Sequence, residues 1–348
     1  MMHASRSQGP LRTVASKTPV PLAGLMLGLS STGNMVPEYR WFFGLFAFAI
    51  LAILVVKFTI DTKTLREDFK NPAIAGIACT MTMATSVLST YLKPYSNEAA
   101  LGMWVASMVV HLGFMFHFTR SFIVRFDLKK CLPCYFVVYV GFAVNAFIAP
   151  VYGYMMFGQA LFWFGLASLV LLLPPLLYRA MVVKGIPEAL VPTLMIFAAP
   201  TNVCLNAYLK AFEHPEPLMV WSLLGLAIVL YAGCLAYLPR ILLLKKFLPA
   251  YSSLTFPLAI SGIATGAAYQ YFLEAGSDLV ILHQLAWFQA VLCVTFVIHV
   301  LVRYIHHYLW RPWSDARAQA PLPGMERNEL MLHGAVGPRK GQDAPPLK

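Results

Sequence analysis

The sequence predicts an all-α polytopic membrane protein with ten transmembrane helices. Of its 348 residues, 59% are hydrophobic and only 12% are charged, whereas soluble domains usually carry about 25% charged residues. Apolar runs recur along the chain at the length of about 20 residues that a helix needs to cross a bilayer core. The basic residues concentrate in alternate gaps between these runs. Together these observations exclude an ordinary soluble protein.

The predicted spans follow one another with short connections. They lie at residues 20–36, 40–60, 72–92, 99–119, 132–150, 157–178, 189–210, 217–238, 252–273 and 278–302. We therefore predict a membrane domain over residues 19–311, between an N-terminal tail, 1–18, and a C-terminal tail, 312–348. The second tail has no hydrophobic periodicity, so it is predicted to be disordered.

The distribution of basic residues predicts the orientation. If the first run is counted as a span, 23 of the 26 Lys and Arg residues lie on one side, and only Arg40, Lys93 and Lys210 lie on the other. The positive-inside rule then places both termini in the cytoplasm of a plasma-membrane protein. The net charge of +11 is explained by this topology, so no nucleic-acid partner is predicted.

Odd-numbered and even-numbered spans differ in polarity. The odd spans contain 27 Gly, Ser, Thr and Asn residues, and the even spans contain 13. Five helical hairpins, each with its polar helix turned inward, would place a central pore in each subunit. The candidate pore-lining residues are Gly28, Ser31, Thr32, Thr82, Thr85, Ser86, Asn145, Thr201, Asn202, Thr255, Ser261 and Thr265. The alternative is that these small polar residues only hold helices together.

The odd spans lack central ionisable residues, and this limits the possible chemistry. No metal-ligand cluster, nucleophile motif or phosphate-binding glycine loop is present, so neither a cofactor nor an enzyme is predicted. His111 and His117, both on even spans, are candidates for a proton-linked role, with simple packing as the alternative. A neutral axis with basic residues at its mouth suits a small anion, although a neutral solute would also fit it.

Short motifs, one in each odd span, resemble the tellurite-resistance/dicarboxylate transporter family, which includes plant slow anion channels and malate transporters. They are Pro19–Leu29, Asn71-Pro72, Pro133–Val137 with Val140-Gly141, Ala199-Pro200-Thr201 and Thr255-Phe256-Pro257-Leu258. The resemblance covers the ten spans and excludes both tails. Their order along the chain makes the resemblance more specific than any single motif.

The resemblance implies a homotrimer in which each subunit has its own pore. It also implies that Phe256, beside the Pro257 kink, closes that pore as a gate. Two positions depart from the family pattern. Residues 77–79 lack the aromatic partner that plant members carry, and Val138 stands where many relatives have a second proline. We therefore expect differences in gating and local pore shape.

The function most consistent with these features is the passage of small inorganic anions or organic acid anions through a neutral, Phe256-gated pore. A second possibility is a proton-coupled carrier or exporter of four-carbon dicarboxylates, tellurite or sulfite. A third is a membrane enzyme or sensor that uses the histidines. The sequence alone does not identify the anion.

Overall fold

The computed structural model describes residues 10–124, 127–244 and 246–310. Within these ranges the chain is helical and forms no strand. The α-helices are α1 (Pro10–Lys17), α2 (Leu22–Met35), α3 (Arg40–Ile60), α4 (Thr62–Asp68), α5 (Pro72–Leu92), α6 (Asn97–Phe118), α7 (Cys134–Tyr139), α8 (Val144–Ile148), α9 (Met155–Tyr178), α10 (Pro200–Ala211), α11 (Pro217–Leu242), α12 (Thr255–Glu274) and α13 (Val280–Ile305).

One compact unit extends to Tyr304, and a second begins at Ile305 with the π-helical turn His306–Trp310. The predicted C-terminal tail, 312–348, lies outside the described residues. Part of the predicted N-terminal tail forms α1, which packs against α3.

Eight helical stretches in the described residues are long and apolar enough to cross a membrane. They are Pro37–Ile60, Pro72–Leu92, Asn97–Ile123, Cys134–Tyr152, Met155–Val183, Glu188–Ala211, Pro217–Leu242 and Val280–Tyr308. The first and ninth predicted spans, which correspond to α2 and α12, are not among them. The 14 residues of α2 extend about 21 Å at 1.5 Å per residue, which is less than a bilayer core. The count of ten spans stays a prediction.

Burial separates the helices into two groups. Over an 18-residue window of each span, 72% to 83% of the residues are buried in the spans that contain α5, α7 with α8, and α10, but only 22% to 33% in the other five. In α2, every residue from Ala23 to Gly33 is buried, and more than half of α12 is buried as well. The polar helices therefore lie inside the protein, and the apolar ones surround them.

The inner helices form a closed ring. Helix α2 packs against α5, α5 against α7 and α8, α8 against α10, α10 against α12, and α12 returns to α2. Helix α5 begins where the sequence predicts, because Pro72 occupies its first position and the Asn71 side chain accepts a hydrogen bond from the Ala73 N–H. The ring brings all five polar helices around one axis.

Several inner helices are interrupted. A 3-10 segment, Val140–Ala143, separates α7 from α8, an eleven-residue 3-10 segment, Glu188–Ala198, precedes α10, and another, Pro249–Leu254, precedes α12. Pro192 lies inside the second segment, and Pro200 begins α10. Because proline lacks an N–H, it disrupts regular α-helical bonding. Irregular backbone of this kind is tolerated at membrane depth where it is buried in protein or lines a cavity.

Candidate functional site

A small central cavity lies inside the ring of inner helices, with a volume of about 40 Å³. This is room for a few water molecules at most. All five inner segments contribute to its wall, represented by Gly24, Thr80, Phe136, Val203 and Phe256. The full lining is Gly24, Ile77, Thr80, Met83, Phe136, Val137, Val140, Gly141, Ile196, Ala199, Pro200, Val203, Ser252, Ser253, Phe256 and Pro257.

The cavity wall is mostly apolar and carries no ionisable side chain among these lining residues. Its hydroxyl groups come from Thr80, Ser252 and Ser253. Thr80 Oγ1 donates to the Ile77 carbonyl at 2.6 Å, and Ser252 Oγ donates to the Pro249 carbonyl at 3.0 Å. An ion in the cavity therefore meets neutral dipoles and apolar surface, without a fixed charge that would hold it.

Phe256 borders the cavity from the first turn of α12 and is 7% exposed. The turn is fixed against α2 by Thr255, whose Oγ1 lies 3.0 Å from the Gly24 carbonyl and 2.7 Å from the Ser252 carbonyl. Gly28 permits this approach, because a Cβ there would overlap the Thr255 side chain. Pro257, which has no backbone N–H, is the third residue of α12 and follows the junction with the 3-10 segment Pro249–Leu254, a first-turn position where proline is tolerated.

A larger, open cavity of about 830 Å³ lies beyond the opposite ends of α2, α10 and α12. Asn206 and Lys210 continue the helical face of α10 on which Val203 borders the central cavity, since they follow it at intervals of three and four residues. The outer cavity differs in charge from the central one, because Lys210, Glu213, His214 and Glu274 line it. The two cavities lie along the same three inner helices.

A family model described as SLAC1, voltage-dependent anion channel, matches residues 21–305. The chain belongs to the voltage-dependent anion channel family. The match runs from the first inner helix, α2, to the end of α13, so it covers the whole ring and its surrounding helices. No curated protein matches the chain.

Membership in the voltage-dependent anion channel family confirms the predicted resemblance and places the chain among membrane proteins that transport anions. The eight apolar helical stretches agree with a multi-pass membrane protein. The gating residue, the number of subunits and the choice between channel and carrier stay predictions.

The two predicted gate residues, Phe256 and Pro257, border the central cavity. None of the twelve residues predicted to line the pore is among the residues that line this cavity. Most of their side chains lie between helices. Thr32 Oγ1 is 3.3 Å from Cys293 Sγ on α13, Ser86 Oγ is 2.6 Å from Ser107 Oγ on α6, and Asn202 Nδ2 is 3.0 Å from Ser261 Oγ on α12. Their role in conduction stays a prediction.

Other candidates differ in their surroundings, since some bond to a neighbouring helix and some only within their own helix. Asn145 Oδ1 accepts from the Trp104 indole at 2.9 Å, and Thr85 Oγ1 donates to the Met81 carbonyl at 2.8 Å. Ser31, Thr201 and Thr265 are buried. The Thr201 hydroxyl has no hydrogen-bond partner within the described residues.

His111 is buried between two inner helices. Its Nε2 lies 3.0 Å from the Val138 carbonyl, which can only accept, so Nε2 carries a proton. Its Nδ1 lies 2.7 Å from Thr82 Oγ1, which is also 2.7 Å from the Cys79 carbonyl. A neutral ring accepts from the Thr82 hydroxyl, and a doubly protonated ring donates to it while the hydroxyl donates to Cys79. Both protonation states therefore keep the ring bonded.

His117 lies elsewhere, at the end of α6. Its ring is exposed and lies 5.7 Å from the ring of Phe69. The structure therefore separates the two histidines that the sequence grouped together, and only His111 contacts inner helices.

Sequence reasoning missed the apolar residues of the cavity wall, including Ile77, Met83, Phe136 and Val203. The residues predicted to line the pore were mostly polar, whereas the wall is mainly apolar. A usable signal existed in the spacing, because Ser252 and Ser253 precede Phe256 and Pro257 by four residues each, and all four line the cavity. Because Phe256 and Pro257 belong to the family motif, this spacing identifies which residues around the motif face the cavity.

Proposed function

We propose that the chain conducts small inorganic anions or organic acid anions down their gradients through the central cavity, with Phe256 as the gate and the Pro257 kink as its hinge. The proposal includes a homotrimer in a plasma membrane, with one pathway in each subunit and both termini in the cytoplasm. The observation that carries it is the small, neutral cavity that all five polar helices border and whose wall includes Phe256.

The neutrality of the wall supports conduction. Passage requires that an ion enter readily and leave readily, which a strong fixed counter-charge in the pore would prevent. The interrupted inner helices supply backbone dipoles close to the cavity, at Val140–Ala143 and at Pro200. Such dipoles stabilise an ion partially and leave it mobile.

The small volume of the cavity supports a closed gate. An apolar ring that narrows an apolar passage excludes water and ions together. Removing the Phe256 ring would join its volume to the existing 40 Å³. Phe256 rotation beside the Pro257 kink would have the same effect in the native protein.

Replacement of Phe256 by alanine tests the gate. We expect Phe256→Ala to raise chloride flux in proteoliposomes about tenfold, the change that accompanies a barrier lowered by about 1.4 kcal/mol. Phe288→Ala is the matched control, because Phe288 is 48% exposed on the surrounding helix α13. Equal flux in native protein and a correctly folded Phe256→Ala variant would exclude this residue as the gate.

A second candidate is a proton-coupled carrier of four-carbon dicarboxylates, with tellurite or sulfite as other possible substrates. His111 favours it, because this buried ring bridges α5 and α7 through hydrogen bonds that suit either protonation state. In that case uptake saturates and moves protons with the substrate, and His111→Gln uncouples the two. Unitary currents in a planar bilayer would instead show that the protein is a channel and not a carrier.

A further inference from the structure

A basic cleft lies between α4 and the end of α6, and its lining shares no residue with the central cavity. Its volume is about 530 Å³. The lining includes Arg66 and Lys70 from the α4–α5 region, and His117, Arg120 and Ser121 from the end of α6. In the predicted topology, the cleft lies on the side that carries most of the basic residues.

An aromatic cluster fixes the base of this cleft. The ring of Phe69 lies 5.5 Å from Phe114 and 5.7 Å from His117, both on α6. It also lies 6.2 Å from Phe58 on α3. Edge-to-face aromatic contacts of this kind are stabilising. The cluster therefore holds the α4–α5 connection in place against α6, so the basic groups do not depend on a loose loop for their position.

The cleft is positively charged, because none of its lining residues is acidic. Glu67 pairs with Lys70 at 2.6 Å, and Asp68 lies 3.9 Å from Lys57. These pairs leave Arg66 and Arg120 as the charges that dominate the cleft. A guanidinium group is planar and matches the oxygen atoms of a phosphate with two parallel hydrogen bonds.

An exposed apolar stripe on α6 leads to the same place. Val109, Leu112 and Phe116 are 63%, 49% and 69% exposed and follow one another at intervals of three and four residues. Arg120 comes four residues after Phe116, so it lies at the end of this stripe. A phospholipid has the matching shape, since its acyl chain lies along an apolar helix face while its phosphate remains at the membrane surface.

We propose that this cleft binds the phosphate group of an anionic phospholipid, with Arg66 and Arg120 as its ligands and the acyl chain along the α6 stripe. A free phosphate satisfies the two arginines but not the stripe, which favours the lipid. The proposal depends on the membrane location of the protein and not on the anion pathway.

Native mass spectrometry of the purified protein in detergent tests the site. We expect dioleoyl-phosphatidylglycerol to bind more tightly than dioleoyl-phosphatidylcholine. In Arg66→Gln/Arg120→Gln its affinity falls roughly thirtyfold, since each basic residue near an anionic lipid contributes roughly a factor of five. The matched control is Lys63→Gln/Arg240→Gln, which removes two exposed charges from outside the cleft. We expect this control to bind phosphatidylglycerol like the native protein.

Three results would overturn the proposal. One is unchanged phosphatidylglycerol binding in the cleft variant, and another is an equal loss in the control pair, which would indicate only non-specific charge attraction. The third is displacement of the lipid by equimolar glycerol 1-phosphate, because it would show that the acyl chain contributes nothing. Thermal unfolding without lipid verifies that all variants are folded.

Discussion

At the scale of single residues, the contact between Gly28 and Thr255 positions Phe256, the proposed gate. Thr255 precedes Phe256 directly, and its hydroxyl is bonded to the α2 backbone at Gly24. The absence of a side chain at Gly28 makes room for it. The orientation of the Phe256 ring therefore depends on a close approach of two helices one turn away from the cavity.

Gly28→Ala is expected to lower the free energy of unfolding by about 1–3 kcal/mol, the usual cost of an extra methyl group in a packed core. Thermal unfolding in detergent measures the loss. Gly225→Ala on α11 is the control, because a Cβ there meets nothing within 4 Å, and alanine favours helix over glycine. Equal stability of the two variants would contradict the close packing of α2 on α12.

At the scale of helices, polar side chains of the inner ring bond to the surrounding helices. The Asn145–Trp104 pair joins α8 to α6, and its amide also donates to the Phe142 carbonyl at 2.9 Å. Hydrogen bonds between membrane helices contribute modestly and specify how the helices fit together. We therefore expect Asn145 to act on stability more than on conduction.

A double-mutant cycle with Asn145→Ala and Trp104→Phe should give a coupling of about 0.6 kcal/mol, the average for such bonds in a membrane protein. Chloride flux of the folded variants should remain close to native. If Asn145→Ala instead changes anion selectivity without a change in stability, the residue lines the pathway, as its sequence pattern predicts.

The helix boundaries were largely predictable, and the reasons are local. The predicted span 72–92 coincides with Pro72–Leu92, because Asn71 and Pro72 are strong start signals, and 40–60 coincides with Arg40–Ile60. The 3-10 interruptions were not predictable from hydropathy. The face of α5 that borders the cavity was not predictable either, because apolar residues such as Ile77 and Met83 are equally common in a packed core.

At the scale of the whole molecule, the charges are asymmetric. With the predicted spans, one side carries 23 Lys and Arg against 9 Asp and Glu, and the other carries 3 against 6. Glu213 and Glu274 of the second side line the outer cavity. Surface potentials of this kind concentrate anions at one mouth and deplete them at the other.

This asymmetry predicts rectification. In symmetric low salt, anion current from the basic side should exceed the reverse current by about two- to threefold, and the ratio should approach one near 1 M salt, where the Debye length is about 3 Å. The double substitution Glu213→Gln/Glu274→Gln should reduce the ratio of the two currents at low salt. The orientation of the protein in the bilayer is determined by protease cleavage of a C-terminal tag from one side. Equal currents at low salt would refute the prediction.

The central claim is that anions cross each subunit through the cavity that Phe256 closes. Its most direct test is Val203→Cys, introduced into Phe256→Ala and recorded in a planar bilayer with a negatively charged methanethiosulfonate reagent. Val203 borders the cavity, whereas the control, Val229→Cys, is 67% exposed on α11. The account predicts that the reagent blocks the current of the Val203→Cys protein and leaves the control and the Phe256→Ala parent unchanged. Undiminished current through a Val203→Cys protein that mass spectrometry shows to be labelled would contradict it.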